Sequence, residues 1–224
     1  MGLELYGKIE DLFLDKEAAH ILWSRFLTIL NELNVKKVLD IGCGSGDFCN
    51  LAKEGGFEIK GIDLSHSQVQ RAKNKECNCI VKDVCELEEK YTAGVSIFDV
   101  INYMDEKDLK RFFSCIENVV ERYFIFDINT YFAMNDLAIG TLKAEDENRF
   151  GVLYSDFEDD VLRTEITLFQ KKGNCYEKSQ AYIIQYYHSI EKICSLLNMK
   201  LIKKVPISLY GSGEIEKWIL VFEK

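Results

Sequence analysis

Apolar positions first recur with a helical period. Over residues 16–33, Ala19, Leu22, Trp23, Phe26, Leu27 and Leu30 fall at spacings of one, three and four, which predicts a helix capped by Asp15. Short apolar runs then alternate with helical stretches: strands at 36–41, 57–63, 79–82, 94–100 and 122–127, helices at 46–54, 66–75 and 105–119. This alternation builds a parallel sheet covered by helices. Beyond Asp127 the period drops to two. Residues 151–157, 161–171 and 175–187 alternate polar and apolar and are joined by turn-like Glu158-Asp159-Asp160 and Lys172-Gly173-Asn174, the mark of an antiparallel meander. A helix at 188–197 and strands at 199–206 and 216–223 follow, the two strands forming a hairpin across Gly211-Ser212-Gly213. The expected class is α/β: a doubly wound seven-stranded sheet with an antiparallel last strand, from residues 1–130 and 188–224, and a small antiparallel β insertion at 131–187.

The chemistry sits at the strand ends. Asp40 closes the first strand and Gly42, Gly44 and Gly46 turn the chain into a helix; Asp63 closes the second strand 21 residues after Gly42. Ligands of such sheets bind beyond the carboxyl ends of the strands near the switch point, where Asp40, Asp63 and Asp83 all fall. The loop reads G-x-G-x-G between Asp40 and Asp47, whereas a dinucleotide loop reads G-x-G-x-x-G. Acids on both flanks repel a pyrophosphate and suit a cationic nucleoside cofactor that carries no phosphate. Ser65-His66-Ser67-Gln68 has the form of a capping box and starts the next helix.

On these residues the chain resembles the class I S-adenosylmethionine-dependent methyltransferases, whose sheet is Rossmann-like. Val38 to Gly46 is similar to their first motif, and Ile62-Asp63-Leu64-Ser65 to the second, in which the acid binds both ribose hydroxyls and the next apolar residue lies on adenine. Val81-Lys82-Asp83-Val84 resembles the third, where Asp83 takes the adenine amino group. The resemblance implies a cofactor site of Asp40, Gly42, Cys43, Gly44, Gly46, Asp63, Leu64, Asp83, Val84 and Asp99, with S-adenosylhomocysteine as product. Asp99-Val100-Ile101-Asn102-Tyr103 and Phe126-Asp127-Ile128-Asn129-Thr130-Tyr131 resemble one subgroup that carries a β-meander after its fifth strand and includes aminosugar N-methyltransferases. The chain departs from that subgroup at Gln180 to His188, at Val120-Glu121-Arg122-Tyr123 where a glycine pair is usual, and at the opening of the fourth strand. The acceptor site is therefore not carried over.

Composition narrows the partner. The formal net charge is -9, and no basic stretch is interleaved with aromatics, which disfavours a nucleic-acid substrate. No apolar run reaches membrane length and the N-terminus lacks a signal-peptide pattern, so no membrane partner and a cytoplasmic setting are expected. The eight cysteines contain no C-x-x-C, and Cys77 and Cys79 lie apart in sequence from His20, His66 and His188, so free thiols and no metal are expected. The expected partner is a small-molecule acceptor, with the protein a monomer or homodimer.

Methyl transfer is a direct displacement that needs alignment and no covalent residue. His188 is the titratable candidate for a base, or the start of the helix that follows, and Tyr103 is the candidate to orient the acceptor. Asn102, Asn129, Tyr131, Tyr186 and Tyr187 join Tyr103 in a polar and aromatic rim, and Tyr6 folds over the cofactor if the N-terminus behaves as in similar enzymes. Two other readings stay open: a non-catalytic cofactor-binding module, and an NAD-dependent oxidoreductase, against which the loop and the lack of a Tyr-x-x-x-Lys pair both count.

Overall fold

Polar caps and apolar stripes set the elements of the computed structural model, which describes residues 2–224. Asp15 accepts hydrogen bonds from Glu17 N and Ala18 N and starts helix α3 (Lys16–Glu32), which buries Leu22, Phe26, Ile29 and Leu30. Two short helices precede it, α1 (Gly2–Tyr6) and α2 (Glu10–Phe13). The sequence reading missed both, because five and four residues are too few for a period to show.

The alternating segment gives β1 (Lys37–Ile41), α4 (Asp47–Glu54), β2 (Glu58–Asp63), α5 (His66–Asn74), β3 (Cys79–Val81), β4 (Tyr91–Ser96), α6 (Glu106–Val119) and β5 (Val120–Asn129). The fourth strand lies a few residues earlier than expected. Phe98 and Asp99 both take positive φ, and Val100–Tyr103 form a 3-10 turn in place of the strand end. After β5 come β6 (Gly140–Glu145), β7 (Arg149–Glu158), β8 (Val161–Lys172), β9 (Cys175–Tyr186), α7 (Ile190–Leu196), β10 (Lys200–Ile207) and β11 (Lys217–Glu223). Strand β6 was not expected; its residues are almost wholly exposed, and an edge strand without a buried face leaves no apolar alternation.

The large sheet runs β10-β11-β5-β4-β1-β2-β3, and the meander is a separate sheet β6-β7-β8-β9. Strands β5, β4, β1, β2 and β3 are parallel, whereas β11 is antiparallel to both β5 and β10. The architecture is the expected α/β one. One face of the sheet buries Phe112, Phe113, Phe124, Phe126 and Phe222 with Ile193 of α7; the other buries Leu22, Phe26, Phe48, Ile125 and Val221. Each such side chain contributes about 1.5–3 kcal/mol. Leu5 and Ile9 pack against Leu153, Ile166 and Ile183, fastening the N-terminal helices to the meander.

The free-thiol expectation needs one correction. Cys85 and Cys115 are disulfide-bonded, because α6 packs its Cys115 against the turn Val84–Glu86 that bears Cys85. The other six cysteines are free.

Candidate active site

The strand order reverses at β1, whose neighbours are β2 and β4, so the β1 and β4 ends bound a crevice. Three glycines shape its floor. Gly42, Gly44 and Gly46 have φ of +77°, +51° and +78°, and Gly42 N and Cys43 N both donate to Ile62 O. A Cβ on Gly42 would lie 2.7 Å from Val100 Cγ2, and one on Gly46 2.6 Å from Cys77 Sγ; at Gly44 it would meet no atom within 4 Å. Gly42 and Gly46 are therefore required by packing, and Gly44 faces open space.

Asp63 couples the loop to the second strand. Its Oδ2 accepts from Gly44 N at 2.9 Å and its Oδ1 from Ser65 N at 2.8 Å, while burial raises its pKa. Leu64 beside it is 71% exposed, an apolar platform at the crevice edge. Ser65 caps α5 by accepting from Gln68 N, as the capping-box reading expects. At the third strand end, Asp83 accepts from Cys85 N at 2.9 Å and from Arg111 at 2.8 Å. Val84 is buried beneath it.

Asp40 is buried and accepts the Cys49 thiol at 3.2 Å. Burial pushes its carboxyl up to about 7, opposed by that hydrogen bond. A carboxyl raised in this way stabilises the fold fully below its unfolded pKa, about 4, and loses that contribution as pH rises through 7. Relative to Asp40→Asn, the ligand-free wild type should therefore lose stability between about pH 4 and 7. Urea melts of both proteins across that window check this, and parallel pH profiles would refute it.

Asp99 is placed differently from the other acids. It sits at φ +64° and its carboxylate contacts Lys217, which also donates to Asp127 at 3.0 Å and Asn129 at 2.7 Å. Asp127 accepts from Phe98 N and Asp99 N, so it holds the two left-handed residues in place. Burial raises the Asp99 carboxyl and Lys217 outweighs it, leaving Asp99 below the usual carboxylate range; burial leaves Asp127 above it. The two carboxylates and one ammonium leave a net negative charge. Sequence reasoning missed Lys217, although a lysine opening the apolar run Trp218 to Phe222 was its visible signal.

Around this cluster stand Tyr6, Tyr103 and Tyr210. The hydroxyl pKa of each is raised, first by desolvation, with the negative charge of Asp99 contributing to all three. Glu216 is buried and accepts from Leu209 N, Tyr210 N and Ser212 Oγ, ordering the loop that carries Tyr210. Asn102 donates to Tyr186 O at 2.9 Å and accepts from Asn129 N at 3.1 Å, tying the meander to β5. The N-terminal helices are held over α5 by hydrogen bonds of Ser67 to Glu4 and Gln68 to Glu10.

His188 goes elsewhere. It is buried, its Nε2 lies 2.9 Å from Met104 O, and burial lowers its pKa, so the ring is neutral and Nε2 donates to the carbonyl. Ser189 caps α7, leaving His188 just outside the helix. Tyr187 and Tyr131 make an edge-to-face pair at 5.4 Å beside Phe157. Among the described residues no cluster of three or more potential ligands could hold a metal ion, and no helix is long and apolar enough to cross a membrane.

Residues 38–122, which hold the glycine loop, Asp63, Asp83 and Asp99, match the family model described as a methyltransferase domain. The chain is similar to methyltransferases. It is 22% identical over 178 residues to a putative methyltransferase, YqeM, of Bacillus subtilis strain 168, covering 70% of this chain and 72% of that one. The fold of the chain is similar to that of an S-adenosylmethionine-dependent methyltransferase from Clostridium acetobutylicum ATCC 824, with a TM-score of 0.78 at 21% identity over 99% of this chain and 96% of the other. It is also similar to the sugar N-methyltransferase KedS8 from Streptoalloteichus sp ATCC 53650, with a TM-score of 0.73 at 16% identity over 99% and 93% of the two chains.

Proposed function

We propose that this protein is a methyltransferase that binds S-adenosylmethionine and methylates an amine nitrogen of a small molecule. The cradle fits that cofactor. Gly44 opens onto free space, Leu64 is an exposed platform, and Gln68 Oε1 is a buried acceptor without a partner among the described residues. Asp63 would take the ribose hydroxyls, Leu64 and Val84 the adenine faces, and Asp83 the adenine amino group. Gly42, Cys43, Gly44 and Gly46 would line the methionine end, with Asp99 supplying negative charge behind it and Asp40, raised to about 7 by burial, ionising once the cofactor's positive charge lies beside it. The cofactor brings an electrophilic methyl on a sulfonium.

The single observation behind the amine is the net negative cluster of Asp99, Asp127 and Lys217, with the charge of Asp99 felt at the Tyr6, Tyr103 and Tyr210 hydroxyls. An ammonium is held by carboxylate charge, whereas an anion would be repelled. The ammonium gives up one proton to solvent before attack. Asp99, whose carboxyl Lys217 holds below the usual range, accepts a hydrogen bond from a remaining N–H, and the Tyr103 hydroxyl oxygen accepts another. The freed lone pair then attacks the methyl and displaces a thioether. The N-terminal helices, fastened to α5 and the meander, limit water at the crevice. We place residues 131–187 as a cap over the acceptor and the protein in the cytoplasm, a setting that suits its six free cysteines.

Calorimetric titration with S-adenosylmethionine, S-adenosylhomocysteine and NAD tests the cofactor, and labelled-methyl transfer to aminosugars, simple amines and alcohols tests the acceptor. Adenosyl-ligand binding with transfer to amines is the expected result. Binding without transfer to any amine would overturn the acceptor assignment, and NAD binding alone would overturn the cofactor.

A further inference from the structure

We propose that the Cys85–Cys115 disulfide is a thiol-exchange site through which small cellular thiols set the affinity of the cofactor pocket. The inference rests on the reading of Asp83 as the adenine acid. Asp83 is the N-cap of the turn Val84–Glu86 and accepts from Cys85 N, so the position of its carboxylate follows the position of Cys85. Cys85 is bonded to Cys115 on α6, and Arg111, one helical turn earlier on α6, reaches Asp83 at 2.8 Å. One covalent tie and one ion pair therefore fasten the same turn to the same helix face. Both cysteines are half-buried rather than sealed, while Cys43, Cys49, Cys77 and Cys79 are buried.

Exchange needs only a thiol of the glutathione or dithiol class. A thiolate attacks one sulfur of the pair, the S–S bond breaks, and the other cysteine leaves as thiolate and takes a proton. A second thiol attacks the mixed disulfide, giving free Cys85 and Cys115 and one molecule of oxidised small thiol. Two electrons pass from the two small thiols to the protein. The turn is then held to α6 by the Arg111–Asp83 pair, whose guanidinium is 63% exposed; an exposed pair fixes geometry weakly. The adenine acid loses its fixed position without any change to the glycine loop or Asp63.

The full-length protein, oxidised with glutathione disulfide or reduced with dithiothreitol, is titrated with S-adenosylhomocysteine in a calorimeter below both melting temperatures. The oxidised form should bind at least about fivefold tighter, a coupling at the low end of those typical between linked sites. Cys85→Ser/Cys115→Ser should bind like the reduced form in both buffers, and Asp83→Ala should bind equally in both. Equal affinity of the two wild-type states, or a redox response that survives in Asp83→Ala, would overturn the exchange site while leaving the cofactor reading intact. No binding in either state would overturn the cofactor reading and this inference with it.

Discussion

Asp63→Ala is expected to weaken S-adenosylhomocysteine binding by about 3 kcal/mol, roughly a hundredfold, since hydrogen bonds to a charged acceptor are each worth about 1.5–3 kcal/mol. The loss has two parts. The ribose hydroxyls lose their acceptor, and Gly44 N and Ser65 N, which the carboxylate holds at 2.9 and 2.8 Å, lose theirs, so the loop itself relaxes. Calorimetry on the folded variant measures the first, and a melting temperature reports the second. Unchanged affinity would remove Asp63 from the cofactor site.

Lys217→Met is expected to cost about 3–5 kcal/mol of stability, the usual penalty for stripping the partner from buried charge. Lys217 is 6% exposed, and Asp127 is fully buried against it. The loss should depend on pH. Without the ammonium both carboxyls have folded pKa values above their unfolded ones, so the variant is stable below about pH 4 and weakens as pH rises. In the wild type Asp99 lies below its unfolded value, so its contribution is present at neutral pH and is lost on acidification, while Asp127, raised by burial, contributes in the opposite sense. The gap between the two proteins should therefore be wide at pH 7 and narrow toward pH 4. Thermal melts at both pH values decide it, and a gap independent of pH would show that Lys217 acts by packing alone.

The sheet was legible because parallel strands buried on both faces leave continuous apolar runs, as in Val38 to Ile41 and Phe124 to Ile128, and because the helices keep a strict apolar stripe. The candidate acids Asp40, Asp63 and Asp83 stood out in the sequence because each falls at or just after a strand end. Elements without periodic burial were not. Strand β6 is exposed along its length, α1 and α2 are about one turn each, and Phe98-Asp99 leaves the strand for left-handed backbone that no propensity favours. The partners in the buried polar contacts around Asp99 and Asn102 lie far apart in the chain: Lys217 meets Asp99 across 118 residues and Asn102 meets Tyr186 across 84. Spacing rules read neighbours on one element, and these contacts are made by the packing of several. The Cys85–Cys115 bond was hidden for the same reason, since thirty residues separate two cysteines that only the docking of α6 brings together.

The hydrogen bond from Asn102 to the Tyr186 carbonyl, together with the packing of Leu5 and Ile9 against Ile166 and Ile183, bears on how such enzymes can be re-engineered. The meander is threaded into its host at two separate seams, one beside the fourth strand and one at the chain's beginning. A chimera that transplants residues 131–187 alone would set a foreign strand against a native Asn102 and a native N-terminal helix. The N-terminal helices, the 99–103 turn and the meander are therefore one structural unit in this architecture, and a working chimera would have to move all three together.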